Sequence, residues 1–198
     1  DDRRAHPGTD LVSELVQVAD DGDRLSVDEI VCTVIVLLNA GHEATVNTLG
    51  NGLNALLQRP DEWRRVTGGE VEPTVVVEEM LRFESSNQLG NRRAAADTEI
   101  GGKRIRAGDK VVMWYISGNR DEEAIEEPDR FIIDRKRPRQ HLSFGFGIHR
   151  CVGARLAEMQ IAILLEEMAA RRMRINVLAE PTRVAACRRR SRMRSRAG

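Results

Sequence analysis

A glycine-broken loop that ends in a single cysteine is the feature that most constrains the fold of this chain. The run Phe144-Gly145-Phe146-Gly147-Ile148-His149-Arg150-Cys151-Val152-Gly153 brings the cysteine to the start of an apolar segment with helical periodicity. Backbone N–H groups and the positive end of the helix dipole stabilise an anionic sulfur at such a position. With no second cysteine nearby, this sulfur suits one axial bond to a metal.

One other interpretation of Cys151 remains open at this point, and a zinc site is disfavoured. A free cysteine in a protein is more often an inert, buried small residue than a metal ligand. A zinc site built on His149 and Cys151 lacks four ligands at readable spacing. The other cysteines predict no metal site, since Cys32 lies in an apolar run and is expected in the core, and Cys187 lies in an arginine-rich tail and is expected to be exposed.

Length and composition favour one packed domain that is soluble and cytoplasmic. The chain has 198 residues, 41% of them hydrophobic, and its formal net charge of zero gives no reason to expect nucleic-acid or membrane binding. Three widely spaced cysteines do not form a disulfide framework, which favours a reducing compartment. No signal-peptide pattern occurs at the start, and the longest apolar run, Val31 to Leu38, is too short to span a bilayer.

The last residues differ in composition from the rest of the chain. Residues 183–198 contain seven arginines and no acidic residue. We therefore divide the chain into a domain over residues 1–181 and a disordered tail over residues 182–198. Binding of the tail to nucleic acid or an anionic surface is one alternative, and a change of reading frame near Thr182 is another.

Helical patterns dominate the first part of the chain. Apolar spacing predicts an amphipathic helix over residues 9–20, and the capping box Ser26-Val27-Asp28-Glu29 starts a long helix over residues 27–58. The first half of the long helix is apolar nearly all round and is expected to cross the core. Pro60 and Pro73 begin two further helices, the second ending near Phe83.

Short strands and loops follow these helices, and a last strong helix follows the cysteine. Gly101-Gly102 predicts a tight turn between two short strands, and Gly108 marks a second turn before a strand over residues 111–115. Residues 119–140 are expected to be mostly loop. A helix is predicted over residues 152–171, and residues 173–178 could form a strand.

Two further groups of residues carry candidate chemistry. Glu79 and Arg82 are three apart on one predicted helix, so their side chains are neighbours and can pair. Taken alone, such a pair is usually a solvated surface contact. Within the long helix, Ala40-Gly41-His42-Glu43-Ala44-Thr45 places a small residue and a glycine before an acid and a hydroxyl.

Together these motifs resemble the cytochrome P-450 family, in that family's order along the chain. The cysteine loop is similar to its haem-binding loop, Glu79 and Arg82 to its ExxR pair, and residues 40–45 to its oxygen-activation motif. The resemblance covers about residues 8–181. It implies a mainly α fold with small β-sheets, the C-terminal half of the family's fold, from just before the long central helix to the helix after the haem-ligand loop.

The resemblance also implies roles for individual residues, with haem b as the cofactor and Cys151 as its metal ligand. Glu43 and Thr45 are expected to be catalytic, and Glu79, Arg82 and Arg130 structural. The expected cofactor-binding residues are Arg92, Phe144, Gly145, His149, Cys151 and Gly153, and Arg93 competes with Arg92 for its role. A threonine usually stands where this chain has Ala44, and one position on a helix is a rotation of about 100°. Thr45 therefore cannot simply replace that hydroxyl. Either a water or a substrate hydroxyl completes the proton relay that the resemblance implies, or oxygen activation is less tightly coupled.

The implied activity is insertion of one oxygen atom from O₂ into a small organic substrate. The expected electron donor is a ferredoxin or a flavodoxin, and neither nucleic acid nor a membrane is expected as a partner. A complete member of the family is about twice as long as this chain. We therefore expect that the chain is incomplete and lacks the N-terminal half, and that it holds haem poorly by itself. The alternative is a non-catalytic helical fragment or decayed relative that does not hold haem.

Overall fold

The computed structural model describes residues 2–20, 25–177 and 179, and in them the chain is mainly helical with two small sheets. The α-helices within this described part are α1 (Asp2–Ala5), α2 (Leu11–Asp20), α3 (Val27–Leu57), α4 (Pro60–Thr67), α5 (Pro73–Phe83), α6 (Tyr115–Gly118) and α7 (Ala154–Ala170). The strands are β1 (Leu89–Arg93), β2 (Thr98–Ile100), β3 (Lys103–Ile105) and β4 (Lys110–Trp114). The predicted fold class is confirmed, whereas the predicted tail over residues 182–198 and Cys187 lie outside the described residues.

Local sequence signals set the ends of the long helix α3. Ser26 is its N-cap: the Ser26 hydroxyl accepts from the Glu29 backbone N–H, and the Glu29 carboxylate accepts from the Ser26 backbone N–H at 2.8 Å. These hydrogen bonds lower the pKa of Glu29, chiefly through the Ser26 backbone N–H. At the other end, Pro60 cannot continue the helix and instead occupies the first turn of α4.

Helices α3, α5 and α7 pack together, with α4 against α7, and enclose one apolar core. Gly52 of α3 allows a close approach to α5, because a Cβ there would lie only 2.7 Å from Met80 Cβ. Six fully buried side chains represent this core: Leu56, Val76, Val77, Met80, Ile133 and Leu165. The core therefore forms around α5, which lies between the other two long helices.

The first half of α3 does not cross this core, contrary to the sequence prediction. Ile35 and Leu38 are exposed there, and so is Cys32, which was predicted to pack in the core. The buried positions of α3 lie mainly in its last turns, where α5 supplies apolar neighbours. The prediction failed because an all-round apolar helix shows a capacity for burial but not which neighbours are present.

By length and composition, α3 could also cross a membrane. One such helix is weak evidence for a membrane span, since a signal sequence near the N-terminus and the core helix of a water-soluble protein pass the same test. The polar residues Asn39, His42 and Glu43 lie in the middle of α3.

Two antiparallel pairs of strands follow α5, and the consecutive strands β2 and β3 form a hairpin. β1 pairs with β4, with Arg92 opposite Val111, and β2 pairs with β3 across the predicted turn at Gly101-Gly102. Both glycines have positive φ, which suits this tight turn. No strand forms over residues 173–177, where a strand was suggested, and no described strand lies beside them as a partner.

One carboxylate ties the β2–β3 hairpin to the chain on either side of it. Asp97 accepts a hydrogen bond from Arg104 at 2.7 Å and another from the backbone N–H of Ala107 at 2.9 Å. The Arg104 guanidinium, followed by that backbone N–H, holds the pKa of Asp97 below its usual value.

Candidate functional site

The cysteine loop is a closed turn built on two glycines. Gly145 and Gly147 both have φ of +71°, a conformation in which other residues are strained. The Gly145 backbone N–H donates to the Leu142 carbonyl at 2.8 Å. The Cys151 backbone N–H donates to the Phe144 carbonyl at 2.8 Å, so the two ends of the loop are tied together.

The loop presents its cysteine beside apolar side chains that face solvent. Cys151 is exposed, whereas the sequence alternative was an inert buried residue. Phe146, Ile148 and Val152 are 82%, 98% and 91% exposed. A Cβ on Gly153 would lie 3.9 Å from the Cys151 sulfur, so the glycine keeps that side of the sulfur free of a side chain. This combination of a free thiol and an open apolar surface fits an apolar ligand that bonds to sulfur.

The loop brings five of the predicted site residues together: Phe144, Gly145, His149, Cys151 and Gly153. His149 is exposed at the end of a single 3₁₀ turn, Gly147–His149. Phe144 is half-buried and packs against the helical core. The helix that follows begins at Ala154, two residues later than predicted, and Gly153 is its N-cap.

A buried tyrosine joins the strand β1 to the cysteine loop. A Cβ on Gly145 would lie 3.4 Å from the Tyr115 hydroxyl, and one on Gly90 of β1 would lie 2.8 Å from Tyr115 Cζ. Tyr115 therefore lies against the two glycines, and this places the strand of Arg92 next to the loop. Sequence analysis missed Tyr115, because neither glycine shows what approaches it.

Arg92 and Arg93 point to different sides of β1. Arg92 is half-buried and donates to the Asn91 carbonyl at 2.9 Å. Arg93 is exposed and donates to the Gly108 carbonyl at 2.8 Å. The two arginines differ in burial because successive strand residues alternate between faces.

Glu79 and Arg82 form a buried ion pair on α5. Arg82 Nε lies 2.7 Å from Glu79 Oε2, and the two side chains are each 1% exposed. The guanidinium also donates to the backbone carbonyls of Asn119, Pro128 and Arg130 at 2.8 to 2.9 Å. The pair thus ties the long loop after α6 to α5, which is more than a surface contact does.

The Glu79–Arg82 pair has a third member, and its side chain is that of Arg135. The prediction that Arg130 fills this position is corrected. Arg135 Nε donates to Glu79 Oε2 at 2.9 Å, whereas the Arg130 side chain pairs with Glu127 at the surface. Arg130 contributes its backbone carbonyl instead, which accepts from both Arg82 and Arg135. The sequence shows two arginines near Phe131, and only the path of the loop decides which side chain turns inward.

On α3, the predicted relay residues lie on the part of the helix with few buried neighbours. Glu43 is exposed and Thr45 is half-buried. A buried hydroxyl occurs one turn further on, where Thr48 Oγ1 donates to the Ala44 carbonyl at 2.8 Å. Since this uses the only hydroxyl hydrogen of Thr48, the Ser86 hydroxyl is the donor in their 2.9 Å contact. Sequence analysis missed Thr48 and Ser86, although the spacing of four from Ala44 is a signal for such a bond.

In the described part of the chain, no three His, Cys, Asp or Glu side chains cluster so that they could share a metal ion. Within the described residues Cys151 belongs to no such cluster of three, and its sulfur is the metal ligand that the sequence predicts. One sulfur suits a metal whose other bonds come from a ligand that is not protein, as in a haem.

Comparison with known proteins gives one consistent result. Residues 74–171 match the model of the family described as "Cytochrome P450". Linalool 8-monooxygenase from Pseudomonas putida is 37% identical over 181 residues, which are 91% of this chain and 44% of that protein. Steroid C26-monooxygenase from Mycolicibacterium smegmatis is 39% identical over 166 residues, which are 84% of this chain and 41% of that protein.

Solved structures show the same likeness. The structure of cytochrome P450 CREJ in complex with (4-ethylphenyl) dihydrogen phosphate superposes with a TM-score of 0.81 at 40% identity. The match covers 85% of this chain and 42% of that one. The chain spans less than half the length of the curated relatives that it matches.

Proposed function

Because this chain belongs to the cytochrome P450 family, we propose that it provides the haem-thiolate ligand region of a monooxygenase, with Cys151 as the axial ligand of haem b. The observation that carries the proposal is the exposed sulfur of Cys151 on a closed loop, beside an apolar surface that faces solvent. When bound, the haem supplies activation of O₂ and transfer of one oxygen atom to an organic substrate.

The residues at the site fit this group. A haem is a flat, largely apolar ligand, and Phe146, Ile148 and Val152 leave such a surface uncovered beside the thiol. Two further side chains, those of Arg92 and His149, complete the proposed site. Arg92, on the strand that Tyr115 joins to the loop, and His149 would each bind a haem propionate.

We propose that Glu43 and Thr45 on α3 take part in proton transfer. The Glu43 carboxylate is exposed and can exchange a proton with solvent, and the Thr45 hydroxyl can pass one on. Ala44 offers no hydroxyl between them. A water or a substrate hydroxyl is therefore expected to complete the path between the carboxylate and the reacting centre.

The names of the relatives support a class of substrate. They are named for linalool and steroid oxidation, which supports a small organic substrate for the protein to which this chain corresponds. We propose a ferredoxin or flavodoxin as the electron donor and the cytoplasm as the location, in line with the bacterial source of these relatives.

The test grafts this chain into a longer relative, because the relatives are more than twice the length that the match covers. Its matching residues would replace the 181-residue segment of Pseudomonas putida linalool 8-monooxygenase. The graft would be made with the natural sequence, with Cys151→Ala, and with Cys32→Ala as the matched control at the other described cysteine. The measurement is the spectrum of the reduced protein under carbon monoxide.

We expect the Soret band typical of thiolate-bound haem in the natural graft and in the Cys32→Ala graft, and its loss in the Cys151→Ala graft. The same band in the Cys151→Ala graft would contradict the proposal. A graft that folds by circular dichroism but takes up no haem would favour the alternative of a non-catalytic relative. The ungrafted chain is expected to hold haem poorly, and a stable thiolate-type band from it would overturn that expectation.

A further inference from the structure

A buried histidine lies just before the cysteine loop and belongs to none of the motifs described above. The His141 side chain is 4% exposed, and its Nε2 lies 2.8 Å from Oε2 of Glu78, which is 3% exposed. Glu78 is the neighbour of Glu79 on α5, but it takes no part in the contacts of the Glu79–Arg82 pair. A buried carboxylate and imidazole in contact are costly to desolvate, so their presence calls for a physical explanation.

The hydrogen bonds define the tautomer of His141. The Ser143 backbone N–H donates to His141 Nδ1 at 3.2 Å. Because Nδ1 accepts this bond, the ring hydrogen of a neutral imidazole is on Nε2, which then donates to the Glu78 carboxylate. The ring thus joins a backbone group of the cysteine loop to a fixed acceptor on α5.

Further contacts tie the same stretch of chain to the helical core. The Ser143 hydroxyl donates to the Leu81 carbonyl at 2.8 Å, and the Leu142 backbone N–H donates to the side chain of Asn119 at 2.6 Å. The Leu142 carbonyl accepts from Gly145, the first positive-φ glycine of the loop. Residues 141–143 are therefore the base from which the loop starts.

An arginine extends the network to the helix that follows the loop. Arg139 lies 2.9 Å from Glu78 Oε1 and 3.2 Å from Oε2 of Glu158 on α7. Arg155, also on α7, pairs with the same Glu158 oxygen at 3.0 Å. The network thus connects α5, the start of the loop and the helix at its end, and it compensates the charge of two buried carboxylates.

We propose that His141 is a positioning residue for Cys151: it fixes the start of the cysteine loop through Glu78 and the Ser143 backbone, independently of the Glu79, Arg82 and Arg135 cluster. Phe144 provides the link, because its ring lies 6.0 Å from the His141 ring and its carbonyl accepts from the Cys151 backbone N–H. The role of His141 in placing the metal ligand rests on the proposed function, whereas its effect on the conformation of the loop does not.

Two substitutions separate the contacts of the ring. His141→Asn keeps an acceptor near the Nδ1 position for Ser143 and loses the donor to Glu78. His141→Gln keeps a donor near the Nε2 position and loses the acceptor for Ser143. His42→Asn is the matched control, since His42 is an exposed histidine on α3.

The measurement is amide hydrogen exchange of the 198-residue chain without haem. We expect the Cys151 and Gly145 amides to exchange about tenfold faster in both His141 variants, on the order of the loss of one hydrogen bond. Amides in the middle of α5 and α7 are expected to keep their natural rates, and His42→Asn should change neither group. Exchange of the Cys151 amide within twofold of the natural chain in both variants would overturn the proposal. So would an equal acceleration in α5 and α7, because His141 would then stabilise the whole core and not the loop.

The same variants in the grafted protein test the consequence for the ligand. We expect a smaller fraction of thiolate-type haem in the carbon-monoxide spectrum of His141→Asn and His141→Gln than of His42→Asn. A change in loop exchange without any thiolate band in the natural graft would contradict the proposed function and leave the loop anchor intact. An unchanged thiolate fraction beside faster loop exchange would overturn the role of His141 in positioning the ligand.

Discussion

Three residues donate hydrogen bonds to the buried carboxylate of Glu79, and they come from two parts of the chain. Arg82 is on the same helix, while the Ile132 backbone N–H and Arg135 belong to the long loop that leads to the cysteine. A buried charge with this many partners is satisfied only when the loop has folded onto α5. The cluster therefore fixes the path of the loop as well as stabilising the helix.

Removing one member of this cluster should cost far more than removing its exposed neighbour. For Arg135→Ala we expect a loss of about 3 kcal/mol in the free energy of unfolding, because Glu79 and the carbonyls of Glu127 and Arg130 lose a donor. Arg130→Ala should cost far less than Arg135→Ala, since the Arg130 side chain pairs at the surface and its backbone carbonyl is kept. Urea unfolding followed by circular dichroism measures both. Equal losses in the two variants would disprove the assignment of Arg135.

At the residue scale the sequence indicated which residue types form the buried cluster, but not always which of two similar residues takes part in it. Glu79 and Arg82 could be paired in advance because helical spacing makes them neighbours. Arg130 and Arg135 could not be told apart, because both lie in an irregular loop where side-chain direction depends on tertiary hydrogen bonds. Tyr115 and His141 were missed for the same reason, since their partners are distant in the sequence.

Two glycines near the end of α3 differ in what surrounds them. A Cβ on Gly50 would meet no atom within 4 Å, whereas a Cβ on Gly52 would overlap the side chain of Met80. Both are helical, so alanine at either position would raise helix propensity. The difference between them therefore isolates the packing of α3 against α5.

Alanine at these two positions should change stability in opposite directions. Gly50→Ala is expected to raise the free energy of unfolding by about 0.5 to 1 kcal/mol, because a helix interior favours alanine. Gly52→Ala is expected to lower it by about 1 to 3 kcal/mol, because Met80 and the helix backbones would have to shift. Thermal melts of the two variants and the natural chain give both values. A gain in stability from Gly52→Ala would show that α3 and α5 are not so closely packed.

Element bounds were easier to predict than burial. The sequence prediction for α3 ended within one residue of the observed Val27–Leu57, because a capping box and a proline are local signals. The same prediction placed the wrong half of α3 in the core, because burial depends on which surfaces meet. Residues 173–177 show the same limit, since a strand needs a partner strand as well as a suitable sequence.

At the scale of the whole molecule, apolar side chains of the described residues are exposed on α3 and on the cysteine loop. We define the α3 surface by Ile35, Val36 and Leu38, and the cysteine loop exposes Phe146 and Ile148. Most monomeric proteins do not leave large apolar patches uncovered unless they bind something there. Both surfaces are expected to bind an apolar dye such as anilinonaphthalene sulfonate and to promote self-association of the isolated chain.

Charged substitutions on the α3 surface test whether this surface is exposed to solvent or packed within the folded chain. The double substitution Val36→Glu and Leu38→Lys keeps the net charge and should change the free energy of unfolding by no more than about 0.5 kcal/mol, because both side chains are exposed. It should also lower dye fluorescence and shift sedimentation toward the monomer. Leu56→Lys is the control on the same helix, and it should unfold the chain because Leu56 is fully buried. Unfolding by the Val36 and Leu38 pair would mean instead that the first half of α3 is packed within the folded chain.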